Sequence, residues 1–190
     1  MATTGEFTNT EFELRGFNHL ALVCRDMAET VEWYGDKLGM KLVKTLEYPG
    51  GGQHFFLDMG NGVDGVAFFW FPDAPEGGKG VTRQDRRGMT AIGTANHIAF
   101  DVAPDHIDAY REKLVAKGVS VTETVNHSTS HDGGHKPDYD AVTDGGDVFV
   151  RSIYFRDPNG ITLEFAAWTK VFDESDVRHA PATARTPVEA

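Results

Sequence analysis

Two stretches of the chain repeat one pattern of apolar and polar positions. "FNHLALVCRDMAETVEWYGDKLG", from Phe17, and "ANHIAFDVAPDHIDAYREKLVAKG", from Ala95, both open on Asn-His, an apolar residue and Ala. Both then run through a strand-like segment into an amphipathic one that carries a Tyr, then Lys-Leu, then a Gly. Tyr34 and Tyr110 lie 76 residues apart, as do Lys37 with Lys113 and Leu38 with Leu114, while His19 and His97 lie 78 apart. One two-residue gap therefore aligns the copies, and the chain is read as an internal duplication before anything else.

Punctuation residues set the elements. The first helix is predicted to start near Asp26, with Glu29 three residues on as a capping box, and to stop before Gly39. The second has Pro104 in its first turn and Gly118 as its terminator. Alternating or apolar runs at 41–48, 53–59 and 65–71 follow the first helix, and runs at 119–125, 148–156 and 161–167 follow the second; all read as strands. Each copy is thus strand, helix and three strands, an α+β class whose sheets bury one face against helices. The organisation expected is an N-terminal extension 1–14, a first module 15–80, a linker 81–93, a second module 94–168 and a tail 169–190. Residues 126–147, "NHSTSHDGGHKPDYDAVTDGGD", form a loop insertion in the second module, of a length that usually signals function or disorder.

Composition narrows the partners. A chain of 190 residues with 40% hydrophobic and 25% charged positions is long enough to bury a substantial core. Its net charge of −11, with no basic stripe, argues against nucleic acid and against anionic membrane surfaces. Cys24 is the lone cysteine, which excludes an internal disulfide and fits a reducing compartment. The N-terminus has no basic start followed by an apolar stretch, and no run reaches membrane-spanning length, so a cytoplasmic location is expected.

Strand alternation then brings out a chemical pattern. His19, Ala21 and Val23 share one face of the first strand, and Leu20 and Leu22 the other. In the second copy His97 and Ala99 oppose Ile98 and Phe100; in the last strand Thr162, Glu164 and Ala166 oppose Ile161, Leu163 and Phe165. Both histidines and the glutamate thus avoid the aliphatic faces that pack on helices, and Ala two positions after each histidine leaves room beside it. An unpaired carboxylate inside a strand costs several kcal/mol. A cation held by His19, His97 and Glu164 removes that cost, and two imidazoles with one carboxylate leave coordination positions open. Iron(II) suits such a site, as do manganese(II) and zinc(II).

These residues resemble the vicinal oxygen chelate superfamily, which includes glyoxalase I, extradiol dioxygenases, methylmalonyl-CoA epimerase and the fosfomycin-resistance enzymes. The resemblance spans about residues 15–168. It implies paired βαβββ modules that form an open, eight-stranded, cup-shaped barrel around a divalent metal, with ligands from the first and last strands of each module. His19, His97 and Glu164 fall on three of those places. The fourth falls in "GVAFFWF", at about Phe69 or Trp70, and neither aromatic can ligate.

Within the superfamily the extradiol dioxygenases use three ligands, and "YFRDPNGITLE", Tyr154 to Glu164, resembles the second half of their signature. That resemblance implies that Tyr154 hydrogen-bonds a substrate hydroxyl. The histidine that the signature places shortly before Tyr154 is missing, since Gly145, Gly146 and Asp147 stand there. His127, His131 and His135 in the adjacent loop are candidates to supply an acid–base imidazole instead, with His131 and His135 taken as catalytic. Phe55, Phe69 and Trp70 are candidates to line a pocket for an aromatic small molecule. The expected function is an extradiol-type ring-cleaving dioxygenase, a homodimer as is common in the family. The alternatives are an oxygen-independent lyase, isomerase or thiol transferase, or a non-catalytic small-molecule binding protein.

Overall fold

The computed structural model describes residues 11, 16–75, 95–128, 148–177 and 180–181. Among them the first copy of the repeat forms β1 (His19–Val23), α1 (Met27–Leu38), β2 (Lys41–Tyr48), β3 (Gly52–Asp58) and β4 (Gly65–Trp70). The second forms β5 (Ile98–Asp101), a 3₁₀ turn (Pro104–His106), α2 (Ile107–Ala116), β6 (Val125–Ser128), β7 (Val148–Arg156) and β8 (Thr162–Trp168). Each copy builds its own four-stranded sheet, in the orders β1-β4-β3-β2 and β5-β8-β7-β6. The first strand of each runs parallel to the last and the other pairings are antiparallel. The two sheets are not closed into a barrel, as an open cup requires.

The caps explain the helix limits. Asp26 accepts the Glu29 amide at 2.9 Å, satisfying a donor that the first turn leaves free. Gly39 ends α1 in the left-handed region, φ 74°, where a Cβ would be strained. The sixth strand departs from the sequence pattern. It occupies 125–128 rather than 119–125, because hydrogen bonds pull the intervening chain out of the ladder. Thr122 binds Tyr154 through its amide and its hydroxyl, and its carbonyl accepts Arg111 Nε, leaving one isolated bridge between Val121 and Phe155.

One core serves both sheets. Leu57, Val66 and Phe68 of the first meet Ile153, Phe155, Leu163 and Ala167 of the second, with Tyr34 of α1 and Leu114 of α2 between them. Burying each large side chain contributes about 1.5–3 kcal/mol. The strand residues among them all lie on the faces opposite His19 and Glu164 in strand alternation. The sheets therefore back onto a common interior, and the faces carrying the histidines look away from it. Among the described residues, no helix is long and apolar enough to cross a membrane.

Candidate metal centre

Glu164 sits at the middle of its sheet, flanked by Ala99 on β5 and Tyr154 on β7. The small Ala99 side chain opens the space that the carboxylate and His97 fill. Glu164 is only 5% exposed, and its Oε2 lies 2.8 Å from His97 Nε2. The other ring nitrogen, Nδ1, lies 2.7 Å from Asn96 Oδ1. An amide oxygen can only accept, so Asn96 fixes the proton on Nδ1 and turns Nε2 toward the carboxylate. The same device recurs in the first copy, where His19 Nδ1 lies 2.7 Å from Asn18 Oδ1. The repeated Asn-His pair thus orients each imidazole to present Nε2.

The electrostatics follow from this packing. Burial pushes the Glu164 carboxyl up, but the hydrogen bond with His97, helped by the nearness of the Ser152 and Tyr154 hydroxyl dipoles, outweighs it and holds the group below its ordinary range. The hydrogen bond to Glu164 raises His97, against a smaller opposing effect of burial. Burial and then the Glu164 charge push the Tyr154 phenol far above its usual range, so it stays a neutral donor. Its ring meets His97 edge-on at 6.0 Å, and its hydroxyl lies 3.2 Å from His127 Nε2. The Ser152 hydroxyl is buried on the same face without a partner of good geometry.

Strand register makes the first module an incomplete copy of this arrangement. Glu164 pairs with Ala99 and Tyr154; the corresponding positions of the first sheet are Ala67, paired with Ala21 and Phe56. His19 meets Phe56 edge-on at 5.6 Å and 70°, as His97 meets Tyr154 at 6.0 Å and 83°. The counterpart of Glu164 in the first sheet is therefore Ala67, rather than Phe69 or Trp70, and its side chain too cannot bind a cation. Beside it His54 stacks on Phe69 at 3.7 Å, with its Nε2 buried and unpartnered. Burial and then the neighbouring His19 lower His54 below the ordinary imidazole value.

His97, Glu164 and Tyr154 come together. His19 does not join them within one chain: it is exposed on the other sheet, and no three metal-ligating side chains cluster among the described residues. The donor chemistry of the converging pair fits a divalent metal, since a cation can replace the proton between Nε2 and the carboxylate. Of the three pocket aromatics, Phe69 shares the His19 face. Phe55 and Trp70 pack against the core instead, and Phe56, one residue on, takes the place facing His19. His131 and His135 lie outside the described residues. His127 does stand at the site, on β6. Asn18 and Asn96 carry no ligand atoms, yet their repetition beside each histidine was the signal for them.

Comparison with known proteins agrees with this fold. The chain is 28% identical over 110 residues to MhqE of Bacillus subtilis (strain 168), a protein provisionally named a ring-cleaving dioxygenase; the match covers 57% of this chain and 33% of MhqE. The chain thus spans about a third of that relative's length. A glyoxylase/bleomycin resistance protein/dioxygenase domain from Frankia sp. EAN1pec superposes with a TM-score of 0.56 at 20% identity, over 82% of this chain and 98% of that one. A variant of the fosfomycin resistance protein FosX from Listeria monocytogenes, crystallised with Mn(II) and 1S,2S-dihydroxypropylphosphonic acid, gives 0.50 at 20% identity, over 82% and 92%. Residues 16–165 match the family model itself, so that with its duplicated sheets and paired His97 and Glu164 the chain belongs to the Glyoxalase/Bleomycin resistance protein/Dioxygenase superfamily.

Proposed function

We propose that the protein is a metal-dependent enzyme that cleaves the ring of an aromatic vicinal diol in the extradiol manner. In this reading each metal centre is shared, with His97 and Glu164 from one protomer and His19 of the partner subunit. The observation that carries it is the outward position of both ligand-bearing faces, with their common core behind them. A two-fold homodimer that sets the first sheet of each protomer against the second sheet of the other forms the centre twice. It also covers Val23, Leu46 and Tyr48, which lie on the same face of the first sheet as His19 and are 55%, 41% and 45% exposed.

A divalent metal held there, iron(II) in this reading, would gather the diol oxygens and dioxygen in one place and polarise them. The chain's own residues do the rest. Ala67 keeps the fourth ligand place open. Tyr154, a neutral phenol beside the ligand carboxylate, donates to a substrate hydroxyl and holds its orientation. Phe56 and Phe69 offer flat apolar walls suited to an aromatic ring. The likeness to MhqE points the same way.

One observation favours a second reading. Gly145, Gly146 and Asp147 occupy the place of the signature histidine, which suits an oxygen-independent lyase, isomerase or thiol transferase using manganese or zinc. Anaerobic reconstitution with iron(II), metal analysis, and oxygen uptake on a panel of catechols distinguish the two. Oxygen consumption with a ring-opened product supports the dioxygenase. Stoichiometric metal without uptake transfers the assignment to the second reading, and failure to bind metal leaves a small-molecule binding protein.

A further inference from the structure

The Tyr154 hydroxyl has two neighbours able to accept its single proton: the carboxylate of Glu164, its directly opposed partner on β8, and His127 Nε2 at 3.2 Å. A buried anion is the stronger acceptor, because a charge-assisted hydrogen bond is roughly twice as strong as a neutral one. The phenol proton therefore goes to Glu164. His127, with Nε2 at 3.2 Å, then completes the contact only by donating Nε2–H into a lone pair of the phenol oxygen. Strand register supports a built contact. His127 pairs with Val150 on β7, on the same face as Tyr154, and its ring is flanked by Phe149 at 6.3 Å. Both residues are half-buried. A phenol hydroxyl with acceptors on two sides has two rotor positions, and a donor into its oxygen removes one of them.

We propose that His127 is the positioning residue for Tyr154: donating from β6, it aims the phenolic proton at Glu164 and, with substrate bound, at the substrate oxygen beside it. The imidazole missing before Tyr154 on its own strand is thus supplied from the neighbouring one. The proposal rests on the metal-centre reading only for where the substrate lies.

Two measurements test it. In metal-free protein, ¹⁵N-histidine NMR should show His127 protonated on Nε2, with slowed exchange of that proton in the wild type and faster exchange in Tyr154→Phe. A proton found on Nδ1 instead, or exchange unchanged by Tyr154→Phe, overturns the proposal. The second measurement is the anaerobic affinity of the metal-loaded protein for 4-nitrocatechol. His127→Phe and Tyr154→Phe should each weaken binding about fivefold, the double variant no further, and His127→Gln, which retains an N–H donor, should recover most of the loss. Additive losses, or no recovery by Gln, defeat positioning. Should the wild type not bind 4-nitrocatechol at all, the diol reading fails, and the metal-free NMR result still decides the role of His127.

Discussion

Tyr34 of α1 donates its phenolic hydrogen to Asp157 at 3.1 Å, joining residues 123 apart in sequence, and both are buried. Asp157 lies in the turn before β8 and also accepts the Ile161 amide at 2.8 Å and the Asn159 side chain at 3.2 Å. Asn159 in turn accepts the Arg25 amide at 2.9 Å and donates to the Thr30 hydroxyl at 3.2 Å. The start of the first module is thereby fastened to the turn that leads into Glu164. This network, with the shared core, holds the two sheets back to back. It keeps His19 away from the His97–Glu164 pair of its own chain.

Removing the Tyr34 hydroxyl should loosen that junction. Burial first, against the hydrogen bonds it accepts, raises the Asp157 carboxyl above its ordinary value. A raised folded-state value means that protonation favours the fold, a contribution lost as pH rises through that value. Tyr34 offsets part of the cost once the group is ionised. Tyr34→Phe should therefore destabilise the protein by about 1–3 kcal/mol at neutral pH. The penalty should shrink in acid, where Asp157 is protonated. Urea melts of both proteins at the two pH values measure it; an equal penalty at both would contradict the role given to Asp157.

The His97–Glu164 pair gives the metal-free protein a pH window of its own. Glu164 is lowered, so its contribution is present above its unfolded value and lost as pH falls through its lower folded value. His97 is raised, so its contribution is present below its unfolded value and lost as pH rises through its folded one. Stability with chelator should form a plateau between these limits, and His97→Gln should flatten both limbs. A metal occupying the place of the His97 proton should extend the plateau to higher pH. Thermal melts from about pH 4 to about pH 9, with and without Mn(II), test this.

Much of this was readable in the chain before any fold was known. The repeat placed His19 and His97 at matching positions, Asp26 and Gly39 marked the ends of α1, and alternation put Glu164 on the face lacking large aliphatics. Alternation assigns residues to faces, but it does not say which sheet stands opposite which. That depends on contacts such as Tyr34–Asp157, which no local pattern encodes. Adjacent aromatics are equally opaque. Phe55 and Phe56 differ only in parity, and the register of β3 against β4 decides which one meets His19. The counterpart of Glu164 in the first sheet is hidden for the same reason, since pairing with Ala21 selects Ala67 and no spacing within "GVAFFWF" does so.

Ala67 offers a direct test of the incomplete half-site. Fully buried, it occupies in the first sheet the place that Glu164 occupies in the second. Ala67→Glu introduces a carboxylate without a counter-charge there, costing several kcal/mol in metal-free protein. With metal bound at a centre that includes His19, the new carboxylate gains a cation. Its Tm should therefore be lower than wild type in chelator and rise more on adding Mn(II). Oxygen uptake on catechols should fall, because a position needed by the reactants is filled. A Tm gain no larger than that of wild type would place Ala67 away from the metal.

A centre shared between protomers, as proposed, makes a prediction that no single-chain site can imitate. His19→Ala and Glu164→Ala should each abolish stoichiometric metal binding as pure proteins. Each protomer of a mixed dimer loses a different ligand: one site then lacks both His19 and Glu164, and the other has all three ligands intact. Random exchange of subunits at equal amounts makes half of the dimers mixed, each with one sound site of two, so about a quarter of full metal binding should return. Mn(II) titration of the two variants, separately and after unfolding and refolding together, measures it. If the three ligands met within one chain, every site in the mixture would lack a ligand and no binding would return.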